Sequence, residues 1–203
     1  MCGLFASVGF EPDPARIDIV AHRGPDGRGW QTYASPVGPV ALGHRRLAII
    51  DLSEGGAQPM QADDGRLSIT FNGEIYNYRE LRAELQAKGR IFTSESDTEV
   101  LLQLYVEHGA GMVSRLRGMF AFGLWDAAKR TLLLARDPLG IKPLYWADDG
   151  WTVRFASQAK ALLAGGAVPR DPDPAGIVGF HLLGSVPEPF TVWRSVHALP
   201  AGT

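Results

Sequence analysis

The only cysteine of this 203-residue chain is its second residue, so removing the initiator methionine would leave a thiol and a free α-amine on one residue. A thiol is nucleophilic as thiolate and titrates near ~8.5, whereas an α-amine titrates near ~7.7 to 8.0, so the amine can take the thiol proton at neutral pH. Cys2 thereby carries its own base and requires no neighbouring histidine. The competing reading is a small residue placed by chance on a first strand.

Other residue types narrow the chemistry. The five histidines, His22, His44, His108, His181 and His197, are scattered without metal-ligand spacing, and no metal is expected. Gly55-Gly56 and Gly165-Gly166 lack the lysine and serine of a phosphate loop, and no GxGxxG opens a helix, so no nucleotide site is expected. The net charge of −2 is evenly distributed, with no basic run to suggest nucleic acid or a membrane surface. One cysteine, no signal-like leader and no apolar run near ~20 residues point to a soluble, cytoplasmic protein.

Positioning Cys2 requires a framework, and the chain supplies signals for one. Residues 2–9 predict a strand, stopped by Glu11-Pro12-Asp13-Pro14, then a short helix through Ile17 and Val20. The glycine- and proline-rich His22-Arg23-Gly24-Pro25-Asp26-Gly27 predicts a loop, with a connector and a functional segment equally open. Strands follow at 30–34 and 37–50, the second carrying Gly43-His44-Arg45-Arg46; arginines in such a place are ordinarily solvated. Leu67, Ile69 and Phe71 alternate with polar residues in a half-buried strand that ends at Asn72-Gly73. That pair is a hairpin signal, yet Tyr78, Leu81 and Leu85 share a helical face just beyond it, which predicts an Asn-Gly exposed at a strand-to-helix junction.

A short strand is expected at 91–93, then a capping box, Ser96-Asp97-Thr98-Glu99, opening a second helix. Asp97 there has an ordinary role available in complementing the helix dipole. Residues 119–125 and 131–135 are apolar at consecutive positions and predict a hairpin buried on both faces. With a second sheet built from strands such as 144–147 and 153–156, and a short helix at 158–163, the layers stack helix, sheet, sheet, helix. From residue 165 to 203 the chain turns proline-rich around an apolar helix near 175–183, and the tail reads as leading toward a further domain.

Cys2-Gly3-Leu4-Phe5, HRGPDG at 22–27, GHRRLAIID at 43–51, GAQPM at 56–60, FNGEIYNY at 71–78, SDTE at 96–99, GMFAF at 118–122 and ARDPLGIKPLY at 135–145 together resemble one family. It is the amino-terminal glutaminase domain of glutamine-hydrolysing asparagine synthetases, a class II glutamine amidotransferase. The resemblance covers residues 2–203 and implies an α+β, four-layer αββα N-terminal-nucleophile hydrolase fold, with two mainly antiparallel sheets between helix layers. It further implies that Cys2 attacks the carboxamide of L-glutamine and that the Asn72 side chain and the Gly73 N–H form the oxyanion hole. Arg46 would hold the substrate α-carboxylate, Asp97 and Glu74 its α-ammonium and nearby backbone, and Leu47, Ala48, Ile49 and Ile50 would lie alongside through main-chain groups. Arg23 and His44 stay open between functional and structural roles. No cofactor is implied for this chain, ATP and magnesium belonging to a synthetase domain in cis or on a partner chain that passes the ammonia to aspartate; a homodimer stays open.

Two features depart from the family pattern. Only residues 9–21 separate the cysteine strand from the HRGPDG loop, so the helix usual there must be shortened or replaced, and Gln158 stands after Ser157 where a glutamate is common. Two alternatives remain: an amidotransferase with another acceptor, such as a sugar, peptide or natural-product precursor, or a noncatalytic glutamine-binding module if Met1 is retained.

Overall fold

Cys2 stands at the mouth of the strand around which the larger sheet is built. The computed structural model describes residues 1–62, 64–164 and 166–203; Gly165, where the proline-rich segment was expected to begin and one glycine pair lies, is outside the described residues. β1 (Gly3–Val8) is apolar except for Ser7 and pairs antiparallel on one side with β3 (Val40–Arg46), on the other with β9 (Val153–Ala156). β2 (Gly27–Tyr33) closes one edge, while β8 (Tyr145–Asp148) and β10 (His197–Ala198) extend the other, giving the order β10-β8-β9-β1-β3-β2.

The second sheet runs β4-β5-β6-β7, with β4 (Met60–Ala62) at one edge, β5 (Leu67–Ile75) and β6 (Gly118–Asp126) central, and β7 (Thr131–Arg136) closing the predicted hairpin. Strand alternation divides β6 between two cores. Phe120, Phe122 and Leu124 face the helices, packing with Leu81 and Leu85 of α1 (Tyr78–Ala87) and Val100, Leu101 and Leu104 of α2 (Asp97–His108). Ala121 and Trp125 face the other sheet, joining Leu4, Ala6, Leu42 and Phe155.

The fourth layer covers the opposite face of the larger sheet, where Phe5 meets Ile17, Val20 and Leu162. Here the short connection before the HRGPDG loop has its outcome. The expected helix is a 3-10 segment, Pro14–Arg23, begun by the Asp13 carboxylate accepting from the Ala15 N–H and kinked at Val20. Beside it lies the five-residue α3 (Ala159–Leu163). The four-layer order of the resemblance therefore holds, with this outer layer reduced.

Four local expectations are corrected. Asn72-Gly73 lies inside β5, opposite Ala121 and Phe120, and the chain leaves the sheet only after Ile75. A Cβ at Gly73 would come within 2.3 Å of the Met119 carbonyl oxygen, so glycine serves the approach of two strands rather than a turn. Second, β3 ends at Arg46 and not Ile50, because the Ala48 N–H donates to the Asp26 carboxylate and Leu47 turns to Cys2. No strand forms at 91–93, since the Glu99 carboxylate takes the N–H and hydroxyl of both Thr93 and Ser94. The capping box is consequently half made: Ser96 Oγ accepts from the Thr98 N–H, but Glu99 is occupied elsewhere.

The proline-rich tail forms α4 (Pro174–Leu183), capped by Asp173, with Val178, Phe180, Leu182 and Leu183 exposed. Among the described residues no helix is long and apolar enough to cross a membrane.

Gly123 shows how closely the sheets approach, because a Cβ there would fall 2.1 Å from the Phe155 ring. Gly123→Val should destabilise the fold by about 2 kcal/mol through overpacking, lowering Tm by about 4 to 8 °C in thermal denaturation. An unchanged Tm would show that the ring has room to yield.

Candidate active site

Cys2 is one residue before β1, so the pairing of Gly3 with Arg45 fixes its backbone. Its Sγ lies 3.4 Å from the Leu47 N–H, which donates to it, and 3.6 Å from the Leu47 carbonyl, which the thiol can address. Arg23 donates from Nε to the Cys2 carbonyl at 2.9 Å, which assigns this open residue to holding the Cys2 main chain. Two residues further, Leu4 N–H donates to Ser157 Oγ at 3.1 Å. Burial pushes the Cys2 thiol up, opposed by the Leu47 hydrogen bond, the chain's terminal amine and Arg46.

A cavity of about 280 Å³ opens beside the thiol, and Cys2, Arg46, Leu47, Ile49, Ile50, Asn72, Gly73, Glu74 and Asp97 line it. Ala48 is the one expected site residue that does not, its N–H being spent on Asp26. His44 is also outside; fully buried, it bridges the two sheets through Nδ1 to the Thr70 hydroxyl at 3.1 Å. Burial holds its imidazole down to about 3, so it is a neutral structural group.

Each sheet contributes one wall. From β5, Asn72 contributes an amide whose buried Nδ2 has no hydrogen-bond partner among the described residues. An unpaired buried donor costs about 1 to 3 kcal/mol, a strain that an oxygen arriving in the cavity relieves. From the end of β3, Arg46 reaches into the loop that follows it, donating to the carbonyls of Ser53 at 2.7 Å and of Asp51. Asp51 in turn accepts from the Ser53 N–H and hydroxyl and, through its other oxygen, from the Glu95 N–H, tying the loop to the approach of α2.

Asp97 opens α2 and is 5% exposed, accepting from the Ile75 N–H at 3.0 Å. Burial pushes its carboxyl up to about 6, with Glu74 adding and the backbone N–H groups opposing. A raised carboxyl favours the folded state in its protonated form: that stability is full below the ordinary carboxylate range and is lost as pH rises through about 6. The ionised form is thus poised for a cation to compensate it.

Sequence reasoning missed several lining residues. Gln58 links β5 to α2, its Oε1 accepting from the Phe71 N–H at 2.7 Å and its Nε2 donating to Thr98 Oγ1 at 3.1 Å. The GAQPM motif contained this residue but offered no chemical signal for it. Met119, Ser96, Thr98 and Lys142 also line the cavity. Among the described residues no cluster of three or more histidine, cysteine or acidic side chains is placed to hold a metal.

A thiol held by a backbone N–H, an unpaired amide donor, a guanidinium and a buried carboxylate around one small cavity suit a small amide that carries both charges. Residues 1–203 match the glutamine amidotransferase domain family over their whole length. The chain belongs to that family. It is 50% identical over 145 residues to asparagine synthetase [glutamine-hydrolyzing] 1 of Bacillus subtilis, covering 71% of this chain and 22% of that protein. Asparagine synthetase [glutamine-hydrolyzing] 3 of the same organism is 39% identical, over 81% of this chain and 28% of its own length. A relative with a different name, amidase chry2 of Gibberella zeae, is 42% identical over 75% of this chain and 22% of its own length. The glutamine phosphoribosylpyrophosphate amidotransferase of B. subtilis, solved with ADP and GMP, superposes with a TM-score of 0.67 at 26% identity, over 79% of this chain and 43% of that one. The domain thus has the N-terminal-nucleophile hydrolase architecture, and it spans less than a third of these two synthetases.

Two outcomes follow from the site. Asn72→Leu removes the unpaired donor at similar volume, so the fold should be as stable as the parent or about 1 kcal/mol more so, while turnover falls by about a hundredfold or more. Thermal denaturation and initial rates check this pair, and a fully active variant would end the donor's assignment. For Asp97, calorimetric binding of glutamine to Cys2→Ala should weaken below pH about 6, as protonation removes the charge. Asp97→Asn should bind about ten- to a hundredfold more weakly with that pH dependence gone.

Proposed function

We propose that this domain hydrolyses L-glutamine to glutamate and ammonia through a thioester on Cys2. The observation that carries the reading is the convergence of Cys2 Sγ, the unpaired Asn72 Nδ2, Arg46 and Asp97 on one cavity. Glutamine presents a carboxylate, an ammonium and a carboxamide on a short chain, and the cavity offers a complementary group for each. Arg46 reads the α-carboxylate with the donors left free by its loop contacts, and Asp97, assisted by Glu74, reads the α-ammonium.

In the processed chain the Cys2 α-amine takes the thiol proton as Sγ attacks the amide carbon. The carbonyl oxygen gains the electron pair and is met by Asn72 Nδ2 and the Gly73 N–H. As the tetrahedral centre collapses, the C–N bond breaks and the amine returns its proton to the departing nitrogen, releasing ammonia. Water then adds to the thioester, with the amine again as base, and glutamate leaves as Sγ recovers its proton. These steps run on protein groups alone, so ATP and magnesium would serve only an acceptor-activating domain.

The similarity to glutamine-hydrolysing asparagine synthetases supports aspartate as the eventual ammonia acceptor, in a synthetase domain joined to this one or supplied by a partner. The solvent-facing apolar side of α4 is consistent with a covering domain of that kind. The resemblance to an amidase supports a second reading in which the ammonia serves a different acceptor.

Met1 lines the cavity and caps the nitrogen on which the mechanism relies. Mass spectrometry of the active protein should show loss of Met1 and a single covalent label on Cys2 from a diazo-ketone glutamine analogue. A variant engineered to retain an extra amino-terminal residue should bind glutamine yet lose at least a hundredfold in kcat, as loss of a general base entails. Full activity with Met1 retained would rule out the amine as base.

A further inference from the structure

Lys142 is the one basic residue lining the cavity to which neither the family resemblance nor the proposed mechanism gives a role. It is 6% exposed, yet its ammonium makes no hydrogen bond or ion pair among the described residues. Its Nζ is not among the fully buried side-chain atoms that lack a partner, so the ammonium opens onto the cavity, with Asp137 and Glu74 as the carboxylates that help keep it charged. Its main chain, by contrast, is clamped on both sides. The Lys142 N–H donates to Asp137 Oδ2 at 3.0 Å, and its carbonyl accepts from Arg136 Nε at 2.8 Å. Asp137 also takes the N–H groups of Phe120, Leu139 and Ile141, so the loop after β7 is locked to β6 beside the cavity. A rigid backbone therefore delivers a free cation to the wall that Cys2 shares.

We propose that Lys142 is a positioning residue for the glutaminase reaction: its ammonium, facing the cavity that Cys2 shares, biases Cys2 toward a thiolate beside an unprotonated α-amine. This rests on the reading of Cys2 as an amino-terminal nucleophile. Two physical effects combine. A nearby cation stabilises the sulfur anion and simultaneously disfavours a second cation on the terminal nitrogen. Both push toward the form in which sulfur attacks and nitrogen can accept a proton.

The electrostatic surroundings agree in sign. In the unprocessed chain burial lowers the Met1 amine, one residue before the Cys2 nitrogen, and Arg23 and Lys142 lower it further against Cys2 and Asp26. For Lys142 itself, burial and Arg23 push the ammonium down, while Cys2, Asp137 and Glu74 hold it up. The other charges facing the thiol are Arg46 from the end of β3 and Asp97 from α2, and Tyr145 of β8 faces Arg23. Arg23 and Arg46 are committed to carbonyls of Cys2, Ser53 and Asp51, which leaves Lys142 as the cation with no such hydrogen bond.

The test compares the processed protein with Lys142→Met and Lys142→Arg. Two pH profiles are recorded for each: kcat/KM for glutamine, and the rate of Cys2 alkylation by iodoacetamide without glutamine. In Lys142→Met the acid limb of both should move up by about one pH unit, and Lys142→Arg should bring it back toward the parent. A purely structural lysine would lower rates at every pH without moving either limb, and that result overturns the proposal. If arginine does not fit, the alkylation limb of a folded Lys142→Met decides alone. A displaced alkylation limb in a protein that never turns over glutamine would instead uphold the electrostatic role and reject the glutaminase reading.

Discussion

The site depends on the amino terminus being the start of an interior strand. Chain ends ordinarily fray, because nothing pairs with them. Here β1 is hydrogen-bonded on both flanks and packed on both faces, with Leu4 and Ala6 between the sheets and Phe5 beneath the outer layer. A residue one step outside such a strand loses most of its freedom at no further cost. Leu47 at the thiol and Arg23 at the carbonyl then fix what freedom Cys2 retains.

Around that fixed point, the two sheets divide the labour. The larger sheet supplies the Cys2 thiol and, from the end of β3, the Arg46 guanidinium; the smaller supplies the Asn72 amide, and α2, packed on it, the Asp97 carboxylate. Their separation is set by close contacts such as that of Gly123 with the Phe155 ring, so the width of the cavity follows from how the sheets pack. The polar groups are left short of partners within this frame: Asn72 Nδ2 is unpaired and Asp97 is held with its charge disfavoured. Such local costs persist where the rest of the fold over-determines them, and they mark groups arranged for a ligand.

Much of this was legible in the residues. Consecutive apolar positions in β6 and β7 foretold a hairpin covered twice, and that single inference demanded four layers. The cavity gathers nine of the ten residues that the resemblance marked, leaving out Ala48, whose N–H a neighbouring loop aspartate captures. Asn72-Gly73 was expected at a strand-to-helix junction because polar alternation stops there and a helical face begins at Tyr78; pairing with β6 instead carries the strand on to Ile75. The strand expected at 91–93 was lost to Glu99, a side chain whose reach cannot be read from spacing alone.

The amino-acid order by itself determined the chemistry available: one thiol, adjacent to a removable methionine, in a chain whose apolar periods build two sheets and two principal helices. It also determined which motifs accompany that thiol. Tertiary structure alone decided that Arg23 grips the Cys2 carbonyl, that His44 is a neutral brace between sheets, and that Lys142 lines the cavity without an ion pair among the described residues. Those three basic residues look alike in sequence because charge type is local, whereas burial and partnership are set by whichever distant strands and loops come to surround them.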